Sequence, residues 1–216
     1  MQPLLQPPRQ RCRYTSAVSS PPIAILGGTF DPPHLGHLVL AECVRDQFAA
    51  EVHFIPAGEP YRKTGADTPE NRAAHVAPRA VTPAPLRLEM VRLAVADNPH
   101  FAVDERELHR AGPTYTVETL ESLHAEGHRD LILVLGSDAL ADLPNWRAPE
   151  RIRELARLVI APKDGAVTGA ETVVAMPRLQ VSSTDIRRRV REGRSVRYLL
   201  PESVEAFVRE HGLYRA

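Results

Sequence analysis

The sequence predicts an α/β protein with a Rossmann-like, doubly wound open parallel sheet in a single domain. Short apolar runs, which are typical of strands buried on both faces, are followed by turn residues. The longer segments between them place apolar residues three and four positions apart, the spacing of an amphipathic helix. This alternation favours a parallel sheet covered by helices on both faces, and 216 residues suffice for one such domain.

Ordered structure is expected to begin at the apolar run Ile23–Leu26, which predicts the first strand. An apolar-rich helix is expected over about 35–48, followed by a second strand over 52–55 that ends at proline. A further helix is predicted over about 86–94, because Leu86, Met90, Leu93 and Ala94 share one helical face.

The second half continues the alternation. A helix is predicted over 116–125, and the uninterrupted apolar run 131–135 predicts a buried strand. The elements expected after these are helices near 149–156, 183–191 and 201–211 and strands near 157–161 and 172–176.

Two segments interrupt this pattern. Residues 1–20 are rich in arginine, proline and serine without an acidic residue, so they resemble a transit peptide in composition. They lack an amphipathic apolar face, which favours a disordered tail or an upstream start codon and leaves 21–216 as the folded domain. Residues 64–85 are proline-rich with few large apolar side chains, and they predict either a functional lid or a disordered insertion.

Composition limits the classes of function. The 27 basic and 27 acidic residues balance, so we expect no nucleic-acid partner, and no run approaches the roughly 20 apolar residues of a membrane span. Cys12 and Cys43 do not form a disulfide framework, which favours a reducing, cytoplasmic location. Composition leaves open whether the protein is a monomer or a homo-oligomer.

The segment Gly27–His37, GGTFDPPHLGH, follows the first strand and opens the first helix. Parallel sheets bind ligands at this position, and glycines allow the backbone to approach a phosphate. The first helical N–H groups add partial positive charge there, and His34 and His37 lie one turn apart on the same face. The segment therefore predicts a phosphate site in which two imidazoles donate hydrogen bonds.

Two better-known nucleotide motifs and a zinc site fit this segment less well. It is neither the GxGxxG dinucleotide fingerprint nor a GxxxxGK[ST] P-loop, which argues against a dehydrogenase or a P-loop enzyme. His34 and His37 could begin a zinc site, but no further ligand stands at a suitable spacing, so no protein-bound metal is expected.

A second phosphate site is predicted at Ser182–Arg187, where a serine with an aspartate three residues later is typical of a capped helix start. Such a start is also an anion site. Arg187 falls in the first helical turn, where the helix dipole disfavours a cation unless an anion is bound.

Three further residues stand at possible ligand positions, and two of them have two interpretations each. Asp138, after the strand 131–135, could accept hydrogen bonds from a ribose or cap a helix. Trp146 could stack on a planar ring or belong to the core. Thr116 is an ordinary N-cap candidate.

Both phosphate motifs resemble those of the HxGH nucleotidyltransferase superfamily, GGTFDPxHxGH and S[ST][ST]xIR. The resemblance implies in-line attack on the α-phosphate of ATP and catalytic roles for His34, His37 and Arg187. Mg²⁺ on the leaving phosphates is expected, because the reaction holds two anions together. The ATP-binding residues that it implies are Gly27, Gly28, Thr29, Phe30, His34, His37, Gly136, Asp138, Ser182, Ser183, Thr184 and Arg187.

The region Gly112–Leu120, together with the pair Asp138 and Trp146, is similar to the bacterial nicotinate mononucleotide adenylyltransferases. That resemblance implies that ATP and nicotinate mononucleotide are joined in NAD biosynthesis, although the choice between nicotinate and nicotinamide stays open. The acceptor-binding residues that it implies are Lys63, Thr116, Trp146 and Arg147.

The sequence departs from this family's pattern in the loop before Lys63, where Arg62 replaces a histidine, and in the length of 64–85. The alternatives are a phosphopantetheine adenylyltransferase, which would lack the Gly112–Leu120 segment, a cytidylyltransferase, which would carry a different second motif, and a non-catalytic nucleotide sensor. A sensor would be favoured by the loss of a histidine or of Arg187, and all three are present.

Overall fold

The computed structural model describes residues 20–64, 80–162 and 172–215. Within them, an entirely parallel six-stranded sheet has the strand order β3-β2-β1-β4-β5-β6, which confirms the predicted fold class. The strands are β1 (Ile23–Gly28), β2 (Glu51–Pro56), β3 (Phe101–Val103), β4 (Leu131–Gly136), β5 (Arg157–Ala161) and β6 (Thr172–Val173).

Helices connect these strands. They are α1 (Leu35–Phe48), α2 (Tyr61–Thr64), α3 (Ala84–Val95), α4 (Thr116–Ala125), α5 (Ser137–Asp142), α6 (Pro149–Leu155), α7 (Ser183–Arg191) and α8 (Glu202–Glu210), with a 3₁₀ turn at Leu143–Asn145. No helix of the described residues is both long and apolar enough to cross a membrane.

The central strands β1, β4 and β5 are largely buried on both faces, as their apolar runs predicted, whereas β6 at the edge is exposed. Ala24 and Leu26 of β1 point into a core with α1, α3, α7 and α8, whereas Ile23 and Ile25 point into a second core with α4 and α6. The side chains of a strand alternate between faces, so every position of such a strand is apolar.

The strand register opens a crevice at one edge of the sheet. β1 pairs with β2 as far as Gly28 and Pro56, but it pairs with β4 only as far as Ile25 and Leu133. The carboxyl ends of β1 and β4 therefore separate, and they do so where the strand order reverses, the usual ligand site of this fold.

Several boundaries differ from the predictions. The helix expected from Leu86 begins at Ala84. Pro83 is its N-cap, and Pro85 lies in the first turn, where proline is tolerated. The strand expected over 172–176 comprises Thr172 and Val173 alone. The predictions for residues 1–20 and for most of 64–85 concern parts outside the described residues, as does the side chain of Arg62.

Candidate active site

The end of β1 carries the two glycines of the first motif. A Cβ on Gly28 would lie 3.0 Å from the Phe30 ring, whereas a Cβ on Gly27 would meet nothing within 4 Å. The Phe30 ring is 2% exposed and packs against His37 and Phe54, with ring centroids 5.1 and 5.8 Å away. The side chain of Phe30 therefore belongs to the core, and only its backbone is available to a ligand.

His34 and His37 form one unit at the start of α1. Their rings stack with centroids 3.7 Å apart, and the backbone N–H of His34 donates to Nδ1 of His37 at 3.1 Å. Because His37 Nδ1 accepts this hydrogen bond, the ring proton of the neutral form resides on Nε2. Nδ1 of His34 is buried without a hydrogen-bond partner among the described residues.

Burial keeps both imidazoles neutral. It lowers the pKa of His34 to about 4 and the pKa of His37 well below its usual value. Repulsion from His34, whenever that ring is protonated, and from the Lys63 ammonium lowers the pKa of His37 further. At neutral pH each ring is therefore an uncharged donor and acceptor, and an arriving phosphate would change the electrostatics of both.

The start of α7 lies against the first motif. Ser182 is its N-cap, as predicted, and its Oγ accepts the N–H of Asp185 at 3.1 Å. Ser183 Oγ donates to the carbonyl of Pro32 at 2.8 Å, and Arg187 Nη1 donates to the carbonyl of Asp31 at 2.7 Å. The two motifs, distant in sequence, thus meet at one place.

The predicted capping box at α7 is only half formed. The Asp185 carboxylate accepts from Arg188 and, at 2.7 Å, from Nε of Arg189. Arg189 and Arg188 lower the pKa of Asp185. Because these two arginines occupy the Asp185 carboxylate, it does not accept the N–H of Ser182. Arg187 donates to Thr184 Oγ1 at 3.2 Å.

A cavity of about 190 Å³ lies between Gly27–Gly28 and the first turn of α4. Its walls include all four predicted acceptor residues. Those walls contain Gly27, Gly28, Thr29, Lys63, Thr116, Trp146 and Arg147, together with residues that were not predicted, among them Glu107, Thr114, Tyr115 and Thr119.

The aromatic wall of this cavity is held by polar contacts. Nε1 of Trp146 donates to Oδ2 of Asp142 at 3.1 Å. The Arg147 guanidinium lies 4.5 Å from the centroid of the Tyr115 ring and 3.6 Å from the carboxylate of Glu118. The bond to Asp142 restrains the indole, and Trp146 lines the cavity.

The two N-cap candidates, Thr116 and Asp138, are not N-caps. The N-cap of α4 is Tyr115, which places Thr116 at the first helical residue, and the N-cap of α5 is Gly136, which places Asp138 in the first turn. In both cases the helix starts one or two residues earlier than the capping residue type suggested. Gly136 and Asp138 stand at the carboxyl end of β4, on the opposite side of the crevice from Gly27.

Sequence reasoning missed two buried charged residues beside the crevice. Glu107 is 9% exposed, its carboxylate accepts from Thr119 Oγ1 at 2.7 Å, and burial raises its pKa. Arg87 is 1% exposed. The burial of Arg87 could have been predicted from sequence, because Arg87 stands three and four residues before Met90 and Val91 and so shares the apolar face of α3. Glu107 stands within a run of charged residues that predicts an exposed surface.

Comparisons with known proteins agree with this site. The cytidylyltransferase-like family model matches residues 25–189. A protein of Roseiflexus sp. (strain RS-1) named "Probable nicotinate-nucleotide adenylyltransferase" is 46% identical over 212 residues, which cover 92% of this chain and 100% of the relative. A protein of Thermomicrobium roseum with the same name is 40% identical, covering 89% of this chain and 91% of the relative.

Solved structures share the fold. The Plasmodium falciparum nicotinic acid mononucleotide adenylyltransferase complexed with APC has a TM-score of 0.69 at 14% identity, over 90% of this chain and 98% of that chain. The same enzyme complexed with NaAD has a TM-score of 0.68 at 17% identity, over 89% and 96%. On the family model and on the identity to the curated relatives, this chain belongs to the cytidylyltransferase-like family and, within it, to the nicotinate-nucleotide adenylyltransferases.

Proposed function

We propose that this protein transfers the adenylyl group of ATP to nicotinate mononucleotide and forms nicotinate adenine dinucleotide and pyrophosphate, a step of NAD biosynthesis. The observation that carries this proposal is the position of Gly27–Thr29, which line the cavity between Thr116 and Trp146 and lead along the chain into the histidine pair. The histidine pair and the start of α7 would bind phosphate, and the cavity would hold a planar ring beside it.

On the ATP side, the triphosphate would lie between the glycine turn and α7. His34 and His37 would donate hydrogen bonds to phosphate oxygens, and the Nε2 proton of His37 is oriented because its Nδ1 is occupied. Arg187 would neutralise charge at the leaving phosphates. The other residues proposed for ATP are Gly27, Gly28, Thr29, the Phe30 backbone, Ser182, Ser183 and Thr184, with Gly136 and Asp138 toward the ribose.

On the acceptor side, Trp146 would stack on the pyridine ring while Thr116 and Arg147 stand near its carboxylate. Lys63, which lines the same cavity, would meet the acceptor phosphate. That phosphate is already ionised at neutral pH, so the attack needs no general base, and the protein contributes positioning and charge stabilisation.

Nucleotidyl transfer from ATP brings together several negative charges, which a metal ion bound to the nucleotide reduces. We propose Mg²⁺ as this ion and treat it as part of the ATP substrate. Among the described residues, no group of three or more His, Cys, Asp or Glu side chains could hold a metal. We further propose that the reaction takes place in the cytoplasm and involves no nucleic acid.

The test is pyrophosphate release with MgATP and either nicotinate or nicotinamide mononucleotide, with the dinucleotide identified by chromatography. Turnover that favours the nicotinate form would support the acceptor site. Absence of turnover with both, in folded protein that binds ATP, would discard this acceptor, and phosphopantetheine would be tested next.

The catalytic role of His37 is tested in the same assay. His37→Ala should reduce kcat by about 10²–10³-fold, the usual cost of losing one donor to developing charge. The matched control is His109→Ala, because His109 is exposed, with 73% of its side chain accessible. Near-normal turnover of His37→Ala would contradict the assignment.

A further inference from the structure

Arg87 is a buried guanidinium whose partners are backbone carbonyls. It is 1% exposed, and its Nε, Nη1 and Nη2 donate to the carbonyls of Thr82, Thr29 and Gly58 at 2.8, 2.8 and 2.9 Å. No carboxylate of the described residues lies within salt-bridge distance; burial lowers the pKa of Arg87, and the buried Asp31 carboxylate partly offsets this. A charge buried in this way is costly, so its three hydrogen bonds must be well formed.

Two of these carbonyls belong to different walls of the crevice. Thr29 is part of the glycine turn after β1, which we assign to the ATP phosphates. Gly58 stands in the loop after β2, which continues into α2 and carries Lys63, assigned to the acceptor phosphate. Arg87 therefore connects the loop of one substrate to the loop of the other.

The loop after β2 has little room to move. A Cβ on Gly58 would lie 2.2 Å from the carbonyl oxygen of Glu107, so the two backbones are in direct contact. The next carbonyl, that of Glu59, accepts both the N–H and the Oγ1–H of Thr114, at 3.3 and 3.0 Å. Packing and hydrogen bonds thus hold this loop from the acceptor side, while Arg87 holds it from the ATP side.

We propose that Arg87 is a positioning residue that sets the distance between the ATP phosphates and the acceptor phosphate. The inference rests on the proposed function. A planar guanidinium offers N–H groups in fixed directions, so it holds two loops at one separation, which an ammonium on a flexible stem does not. In-line attack requires reacting atoms roughly 3–3.5 Å apart, and a displacement of about 1 Å can reduce the rate about 10²-fold.

The experiment compares Arg87→Lys with Arg92→Lys. Arg92 is on the same helix but exposed, where it pairs with Glu105 at 2.7 Å, so its variant should match the wild type. We expect Arg87→Lys to lower kcat at least about 10-fold while the affinity for MgATP alone, measured by calorimetry, changes less than about 3-fold. Thermal unfolding would give the folded fraction for which kcat is corrected.

The split between kcat and ATP affinity separates positioning from stability, because a purely structural role would lower the melting temperature and leave kcat of the folded fraction unchanged. That result would overturn the inference. If Arg87→Lys does not fold, Arg87→Gln, which buries no charge, replaces it with the same expectation. A wild-type protein without turnover on nicotinate mononucleotide would overturn the proposed function instead, and the two variants would then be compared on the acceptor that is used.

Discussion

We expect Gly36→Ala to lower the activity that depends on the histidine pair without lowering the stability of the fold. Gly36 is the second residue of α1, in helical backbone, and its hypothetical Cβ would lie 3.0 Å from Nδ1 and 3.1 Å from Cε1 of His34. Both distances are shorter than ordinary contacts, so the His34 ring must shift by a few tenths of an ångström. Because that ring stacks on His37 at 3.7 Å, the shift is transmitted to the second imidazole.

The expected loss follows from this displacement. A misplacement of about 1 Å costs about 10²-fold in rate, so a shift of roughly half that size should reduce kcat about 10-fold. Stability should not fall in parallel, since alanine is favoured over glycine in helices by as much as about 1 kcal/mol. Steady-state pyrophosphate release and urea unfolding measure the two quantities on the same protein.

The control for Gly36→Ala is Asp46→Ala, an exposed position near the other end of α1 that should leave kcat unchanged. A Gly36→Ala enzyme with wild-type kcat and KM would refute the reasoning, because the His34 ring could then move without consequence. A loss of activity that followed a loss of stability would refute it as well.

Three further predictions concern packing, protonation and stacking. Gly58→Ala should destabilise the fold by about 1–3 kcal/mol in urea unfolding, because its Cβ would overlap the Glu107 carbonyl; unchanged stability would show that the loop can move. His34 should contribute about 3 kcal/mol to the fall in the free energy of unfolding between about pH 6.5 and 4, because unfolded His34 binds a proton in this range and folded His34, with its pKa near 4, largely does not. His34→Gln should reduce the slope by this amount, and an equal slope would contradict the assignment. Trp146→Ala should raise the KM for the acceptor about 10-fold and leave the KM for ATP unchanged, whereas equal effects on both would argue against stacking on the acceptor ring.

The elements that sequence predicted best are those with a strong local pattern. The helices Leu35–Phe48 and Thr116–Ala125 have the predicted bounds, because apolar residues recur at helical spacing in each. β3 was missed because its three residues, Phe101–Val103, are too few to show a period. α5 was missed because it follows β4 without a turn, so no loop signal separates them.

The residues of the site also fall into those with a local sequence pattern and those without one. Phosphate binding uses consecutive backbone groups at a strand end or a helix start, so the segments around His37 and Ser182 could be recognised from short motifs. Arg87 and Glu107 act through partners far away in sequence, such as Thr29, 58 residues before Arg87. Such partners leave no local pattern, and only the folded chain brings them together.

The hydrogen bonds around the first motif also show how its backbone can serve an anion. Three carbonyls of the motif are held by side-chain donors: Arg87 donates to that of Thr29, Arg187 to that of Asp31, and Ser183 to that of Pro32. Prolines follow Asp31 and Pro32, so only the Thr29 carbonyl is followed by an N–H. A trans peptide is planar, with its C=O and N–H in opposite directions, so fixing the Thr29 carbonyl also fixes the next N–H.

For Thr29 this next N–H belongs to Phe30, and it points away from Arg87. Phe30 can thus have its ring in the core and still offer a fixed backbone donor, which reconciles its burial with its place among the proposed ATP contacts. The same geometry would give Arg87 a second effect, on the charge that develops in the transition state rather than on the binding of ATP. Arg87→Lys would release the Thr29–Phe30 peptide plane as well as the spacing of the loops, so the loss in kcat should exceed the loss from Gly36→Ala.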